Sequence, residues 1–257
     1  NCTSLSSVTG LEDITTVNND AFNNTQALKE LSFPEVMSVG MSAFNGSGIA
    51  SVSLPKAENI KMYALRDCKS LSKVVLCDVL TALPRGMFAG CESLKSVTLP
   101  KNVSTIGDLA FVCSGIETIV IPAGVTDLPV SDFAYTSTDP ETGVKTNCKG
   151  MFENCKSLKS VTIEGDISAI SEGMFRNCVS LESFDLSNIA SIGTEAFYGS
   201  GIKSVNIPKV SSMGSRAFGK CLALTEIIGA KVIGENAFRE SGIETLDLTG
   251  VTSIGTG

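Results

Sequence analysis

The stretch Cys91–Phe111, CESLKSVTLPKNVSTIGDLAF, sets the reading of the whole chain. Leu94, Val97 and Leu99 alternate with polar residues, the pattern of a half-buried strand, and Pro100 closes the run because it cannot donate to a ladder. A polar turn follows, then Ile106-Gly107 and Ala110-Phe111, and the pattern starts again. Working outward from Phe111, the same slot holds Phe22, Phe44, Leu65, Phe88, Phe152, Phe175, Phe197, Phe218 and Phe238. The intervals are 22, 21, 23, 23, 41, 23, 22, 21 and 20 residues. A period of this length indicates a solenoid, in which each unit buries its apolar face only against its neighbours.

Eleven strand openings follow from the repeat: Leu5, Leu28, Ile49, Leu71, Leu94, Ile116, Leu158, Leu181, Ile202, Leu224 and Ile243. One strand per unit predicts a parallel sheet roughly 50 Å long at ~4.8 Å per rung. The Ile-Gly element predicts a bend with positive φ at the glycine, and Ala-Phe predicts a single helical or 3₁₀ turn. The phenylalanines are expected to stack as a spine behind the sheet; an aromatic binding stripe is the competing functional reading. The turn back to the strand has a long form, F-x-x-C-x-S-L, and a short form ending in Ser-Gly. Gly46-Ser47-Gly48 looks superficially like a phosphate loop, but no helix of useful length follows it, so it reads as a turn. Both chain ends fall inside units, which is the expectation for an excerpt of a longer protein.

Composition excludes several classes of function. The 257 residues carry a net charge of −7, with basic residues scattered singly, so no basic stripe exists for nucleic acid. No run of 18 apolar residues is present to span a membrane. The chain has no His, which removes Ser-His and Cys-His catalysis. Two carboxylates are the remaining machinery, and Glu226 with Asp247, on adjacent rungs, is the best pair for a glycoside hydrolase. Such a pair is equally typical of a solvated face.

Nine cysteines raise the question of disulfides or metal. Cys2, Cys68, Cys91, Cys155, Cys178 and Cys221 all stand three residues before a strand-opening leucine, and Thr25 fills the same slot. A residue that recurs with the repeat reads as a buried structural rung, reduced because in-register parallel side chains do not readily reach the disulfide torsion. There is no CxxC, and no metal or cofactor is expected. Cys77, Cys113 and Cys148 lie off the row, with Cys148 expected to be the exposed and reactive one. The outward sheet positions are mostly Ser and Thr, as in Ser96/Thr98 and Ser160/Thr162, and lack Trp, Tyr and Arg.

One unit breaks the period. Between Phe111 and Phe152 the extra residues run from Ser131 to Lys149, SDFAYTSTDPETGVKTNCK, read as a small β-hairpin or ordered loop projecting from the solenoid. Phe133, Tyr135, Asp139, Glu141 and Lys145 are its candidate partner-binding residues. The competing reading is that Phe133 and Tyr135 pin the loop to the solenoid flank. Deleting the segment is expected to leave stability nearly intact.

The recurring motif L-x-x-V-x-L-P…I-G-x-x-A-F-x-x-C-x-S-L resembles the BspA-like leucine-rich repeats of bacterial and protozoan surface proteins. It covers essentially all of the chain except Ser131–Lys149, with departures at Leu65, Cys77, Glu164, Gly10 and Gly229. The combined expectation is an α/β repeat solenoid: a single right-handed leucine-rich-repeat unit over residues 1–257, with one parallel sheet of about eleven rungs. The resemblance implies an extracellular or cell-surface, non-enzymatic protein, adhesive toward host matrix proteins, cell-surface proteins or glycans. A spacer holding another domain away from the cell surface is the alternative.

Overall fold

The computed structural model describes residues 2–138 and 143–257. They form a parallel β-solenoid of about eleven turns. No helix occurs among the described residues, so the α/β expectation does not hold. Two walls of the solenoid carry short parallel pairs. On the front wall Glu30–Ser32, Ser51–Ser53 and Lys73–Val75 pair in register, as do Thr118–Ile121 with Ser160–Ile163 and Ser204–Asn206 with Glu226–Ile228. The Ile-Gly elements build a second wall, where Ala169–Ile170, Ser191–Ile192 and Ser212–Met213 form one ladder. The expected single sheet is therefore two interrupted rows. The front row lapses around Leu94 and Leu181, yet Leu94, Leu99, Leu181 and Leu186 stay buried, so packing keeps the turns in line where the ladder lapses.

The Ala-Phe segment makes no helical turn because its N–H groups are used between units. Phe44 N donates to Ala64 O at 2.8 Å, Phe88 N to Ala110 O at 2.9 Å, and Phe197 N to Ala217 O at 2.8 Å. The alternate N–H groups close tight turns three residues back, as from Asn45 N to Ser42 O at 3.1 Å. Positive φ falls not on the Ile-Gly glycine but two residues before and two after the phenylalanine slot, as at Glu195 (54°) and Lys220 (54°). The glycine has another purpose. A Cβ on Gly107 would run into Arg85 N of the preceding turn, so glycine there permits close stacking.

The phenylalanine spine is present. Ring centroids of Phe152 and Phe175 lie 5.6 Å apart, those of Phe175 and Phe197 5.2 Å, and those of Phe197 and Phe218 5.1 Å. Phe88, Phe111, Phe152 and Phe175 are fully buried, which removes the aromatic binding stripe. Phe111 and Phe152 stack at 5.4 Å although 41 residues separate them, so the inserted segment leaves and rejoins the solenoid without parting the layers.

The cysteine row is a second internal ladder. Cys2, read as part of the row, is exposed; Cys68, Cys91, Cys155, Cys178 and Cys221 are buried. They donate to the carbonyls of Phe44, Leu65, Phe111, Phe152 and Phe197 at 3.0, 3.1, 2.9, 3.1 and 3.0 Å. In the short turns a serine takes the slot, and Ser47 Oγ meets Cys68 Sγ at 3.4 Å. Burial pushes the Cys68 and Cys155 thiols up to about 12, which suits a structural thiol and not a nucleophile.

Candidate functional site

The inserted segment is an antiparallel hairpin of Tyr135–Thr138 against Lys145–Cys148, with Tyr135 opposite Cys148. Its base is closed by Ser131 N donating to Lys149 O at 3.3 Å. It does not simply project. The hairpin folds back over the turns that precede it, and the Tyr135 hydroxyl donates to Asp67 Oδ1 at 2.6 Å. Asp67 Oδ2 accepts from Arg66 Nε at 3.1 Å, and the Arg66 guanidinium stands 5.1 Å from the Tyr135 ring centroid and 5.5 Å from that of Tyr63. Burial and the Asp67 carboxylate hold the Tyr135 hydroxyl far above its ordinary range. Beneath the hairpin, Ala89, Leu109, Val112 and Cys148 form a small buried cluster separate from the main core.

Phe133 is placed differently from Tyr135. It is 60% exposed, with Arg85 stacked 4.8 Å from its ring centroid. Arg85 is itself fixed by Asp108 Oδ1 at 2.6 Å. Lys145 is exposed and pairs across the hairpin with Thr138. Asp139 and Glu141, with the turn expected around them, lie outside the described residues. Cys148 is fully buried, contrary to the expectation of an exposed thiol; the half-buried one is Cys113.

A second polar cluster lies further along the same flank. Arg176 and Lys220 lie 5.4 and 5.8 Å from the Tyr198 ring centroid. Arg176 Nη1 reaches Glu195 at 3.3 Å, Arg216 Nη1 reaches Glu195 at 3.6 Å, and Lys220 and Arg239 share Glu240 at 3.7 and 3.4 Å. A cleft of about 200 Å³ opens between Tyr198, Arg216, Lys220, Arg239 and Glu240.

All five arginines (66, 85, 176, 216 and 239) and all three tyrosines (63, 135 and 198) of the chain thus sit on the turn flank. Sequence reasoning missed this surface because it asked only what the sheet face lacks. The signal was readable: six of these eight residues stand one after or two before the phenylalanine slot.

The sheet face is a shallow hydroxyl-rich surface. One depression of about 440 Å³ is lined by Ser96, Thr98, Thr118, Ser160 and Thr162, with Val120 exposed among them. Surface ion pairs link its turns, with Glu117 held between Lys159 at 2.6 Å and Lys95 at 3.3 Å. Those two ammonium groups lower the Glu117 carboxyl below its usual value. Glu226 and Asp247 are both exposed, as on a solvated face. Asp247 Oδ1 accepts from Thr249 N at 2.8 Å, and the Thr249 hydroxyl and amide hold its carboxyl below the ordinary range.

A family model described as a BspA type leucine rich repeat region (6 copies) matches residues 15–139 and 145–257. The chain belongs to the BspA-type leucine-rich repeat family. Among solved structures, a leucine-rich repeat protein from Bacteroides ovatus is 28% identical, with a TM-score of 0.52 over 89% of this chain and 68% of its own. The T. pallidum leucine rich repeat protein is 22% identical, with a TM-score of 0.50 over 86% of this chain and 75% of its own. The pneumococcal vaccine antigen PcpA shares the fold at 17% identity, with a TM-score of 0.51 over 95% of this chain and 66% of its own. A comparison with curated proteins gives no match. No helix among the described residues is long and apolar enough to cross a membrane. The BspA-type repeats of this chain are a non-enzymatic family type.

Proposed function

We propose that this BspA-type chain is a recognition module of a cell-surface or secreted protein, and that it binds a protein partner through its turn flank. The observation that carries the reading is the gathering of every arginine and tyrosine on that flank, with Phe133 held open over Arg85. Arginine and aromatic side chains supply most of the binding energy in protein interfaces. Here they are held in place before any partner arrives: Arg85 by Asp108, Tyr135 by Asp67, and Arg176 by Glu195. Ordering them on binding therefore costs little. The sheet face offers small hydroxyl residues and no such anchors. Family membership supports a location outside the cell, and matrix proteins, other cell-surface proteins or glycans are the partners proposed.

The test is a binding screen of the whole chain against extracellular matrix proteins and glycans, followed by variants of any pair found. Phe133→Ala, Arg85→Ala and Tyr198→Ala are expected to weaken binding by about tenfold or more at the cluster that is used. Thr118→Arg, on the sheet face, is expected to leave binding unchanged. Loss of binding with Thr118→Arg alone moves the site to the sheet. A screen in which nothing binds at high micromolar concentration favours the spacer reading.

A further inference from the structure

The structure brings together two of the three cysteines that the repeat does not account for. Cys113 comes from the turn just after Phe111 and Cys148 from the end of the hairpin, and the two pack together over Ala89, Leu109 and Val112. Cys113 occupies a left-handed position (φ 56°) two residues after the phenylalanine slot, where other turns place Asn24, Gly46, Asp67, Gly90, Asn154, Asn177, Gly199, Lys220 and Glu240. Seven of these nine are Asn, Asp or Gly, which take that backbone readily, and none is a cysteine. The repeat therefore does not explain a cysteine here.

The surroundings of the two thiols differ. Cys113 is half-buried and lines an open cavity of about 320 Å³, with Ser137, Thr138, Thr146, Asn154 and Lys156 around it and Glu92 at the rim. Hydrogen bonds from the Cys148 thiol, the Ser137 hydroxyl and the Asn154 amide lower the Cys113 thiol below its ordinary range, against burial and the Glu153 charge. Cys148 lies behind it, fully buried, with Asn154 Nδ2 at 2.9 Å from its sulfur. Contact with Cys113 and burial hold the Cys148 thiol protonated. Beside it stands Glu153, a buried carboxylate whose Oε1 makes no hydrogen bond among the described residues and faces Arg176 Nη1 at 3.6 Å.

We propose that Cys113 and Cys148 are a reactive thiol pair, Cys113 the attacking sulfur and Cys148 the resolving one, which a low-molecular-weight disulfide oxidises to a bond stapling the hairpin to the solenoid. The Cys113 thiolate attacks one sulfur of the small disulfide through the open cavity. The S–S bond breaks, a mixed disulfide forms on Cys113, and the first small thiolate leaves and takes up the proton Cys113 gave to solvent. Cys148 then attacks the Cys113 sulfur, releases its proton toward Glu153 Oε1 and on to water, and displaces the second small thiol. Two protein thiols lose two electrons and two protons, and the small disulfide gains them as two thiols. The five row cysteines stay out of this chemistry, because each is buried and donates to a carbonyl of the preceding turn.

The experiment uses the reduced 257-residue chain and oxidised glutathione at neutral pH, with acid quenching and peptide mapping without reductant. A Cys113–Cys148 linked peptide is expected, with the row cysteines modified only after denaturation. Cys148→Ser should stop at a lasting glutathione adduct on Cys113, and Cys113→Ser should leave Cys148 unmodified. In the unsubstituted chain, iodoacetamide should reach Cys113 several-fold faster than the exposed Cys2. The proposal is overturned if Cys113 remains unmodified in the unsubstituted chain. It is equally overturned if the adduct on Cys113 persists to the same extent with Cys148 present and absent, since resolution would then not occur.

Discussion

Two parts of the turn flank share one backbone and differ in everything that backbone carries. Under the hairpin, the residues one after the phenylalanine slot are Ala89 and Val112, and the residue two before Phe111 is Leu109; all three are buried. Further along, the same positions hold Arg176, Tyr198 and Arg239, and Glu195 and Arg216, all joined in ion pairs or ring contacts. Both parts keep positive φ two residues before and two after the slot, as at Leu109 (60°) and Cys113 (56°), or Glu195 (54°) and Asn177 (60°). The repeat therefore dictates the interior and the path of the chain. The outer layer is free to match whatever covers it, which is a hairpin in one part and, under the proposal above, a partner in the other.

The largest expected effects test the layer that the two parts have in common. Phe111→Ala, beneath the hairpin, and Phe197→Ala, beneath the open part, should each cost about 3–5 kcal/mol in urea denaturation. Each phenylalanine is fully buried between two stacked rings. A clearly smaller loss at Phe111 would mean that the insertion has already loosened the spine. Next comes removal of residues 131–149 with the ends rejoined, which the closed base permits. The sequence alone led to an expectation of little change. The cluster under the hairpin changes that: re-exposing Ala89, Leu109 and Val112 should cost roughly 2–4 kcal/mol. Adding Val112→Arg to the deletion converts the covered flank toward the open kind and should recover part of the loss. If that substitution is as damaging after the deletion as before it, the contrast between the two parts is wrong.

A smaller effect is expected at the contact that holds the hairpin down. Tyr135→Phe keeps the ring beside Arg66 and removes only the hydroxyl that donates to Asp67. A hydrogen bond to a carboxylate contributes about 1.5–3 kcal/mol, and Asp67 retains Arg66, so the lower end is expected. Hydrogen exchange of the Tyr135–Thr138 amides should quicken while the spine turns stay protected. Uniform quickening across the chain would show that the hairpin and the solenoid open as one unit.

Period and alternation made the spine, the strand positions and the cysteine row legible, because each depends on a residue type repeating at a fixed offset. Burial of Leu28, Leu94 and Leu224 followed directly from that pattern. Two local conformations were not legible. Gly107 was read as a positive-φ bend because glycine permits one, whereas here it admits the backbone of Arg85 from the turn before, a contact no single unit displays. The Ala-Phe turn was read as helical because its hydrogen bonds to the next unit are invisible within one repeat. Cys148 was misplaced for a related reason: loop residues are usually exposed, and only the apolar Ala89, Leu109 and Val112 at otherwise polar slots announced that something lies over them.

Glu153 stands where the two kinds of flank meet. It follows Phe152 in the slot that Val112 and Arg176 occupy on either side, and it is buried like the first while reaching toward the second at 3.6 Å. Burial raises its carboxyl above the ordinary 4.5, against the Gly150 and Lys149 amides and the Arg176 charge, which lower it. Below 4.5 the group is protonated in both folded and unfolded chains and its contribution is fully present; as pH rises through the higher folded value, charging the buried carboxylate withdraws that contribution. Stability should therefore fall over that window. Glu153→Gln, which keeps an oxygen for the two amides, should flatten the fall, matching the parent below the window and exceeding it above. Denaturation curves at a series of pH values measure this directly. Deleting residues 131–149 should flatten it too, because the carboxylate then regains water. A fall that persists in the deleted chain would place the burial of Glu153 in the solenoid itself and not under the hairpin.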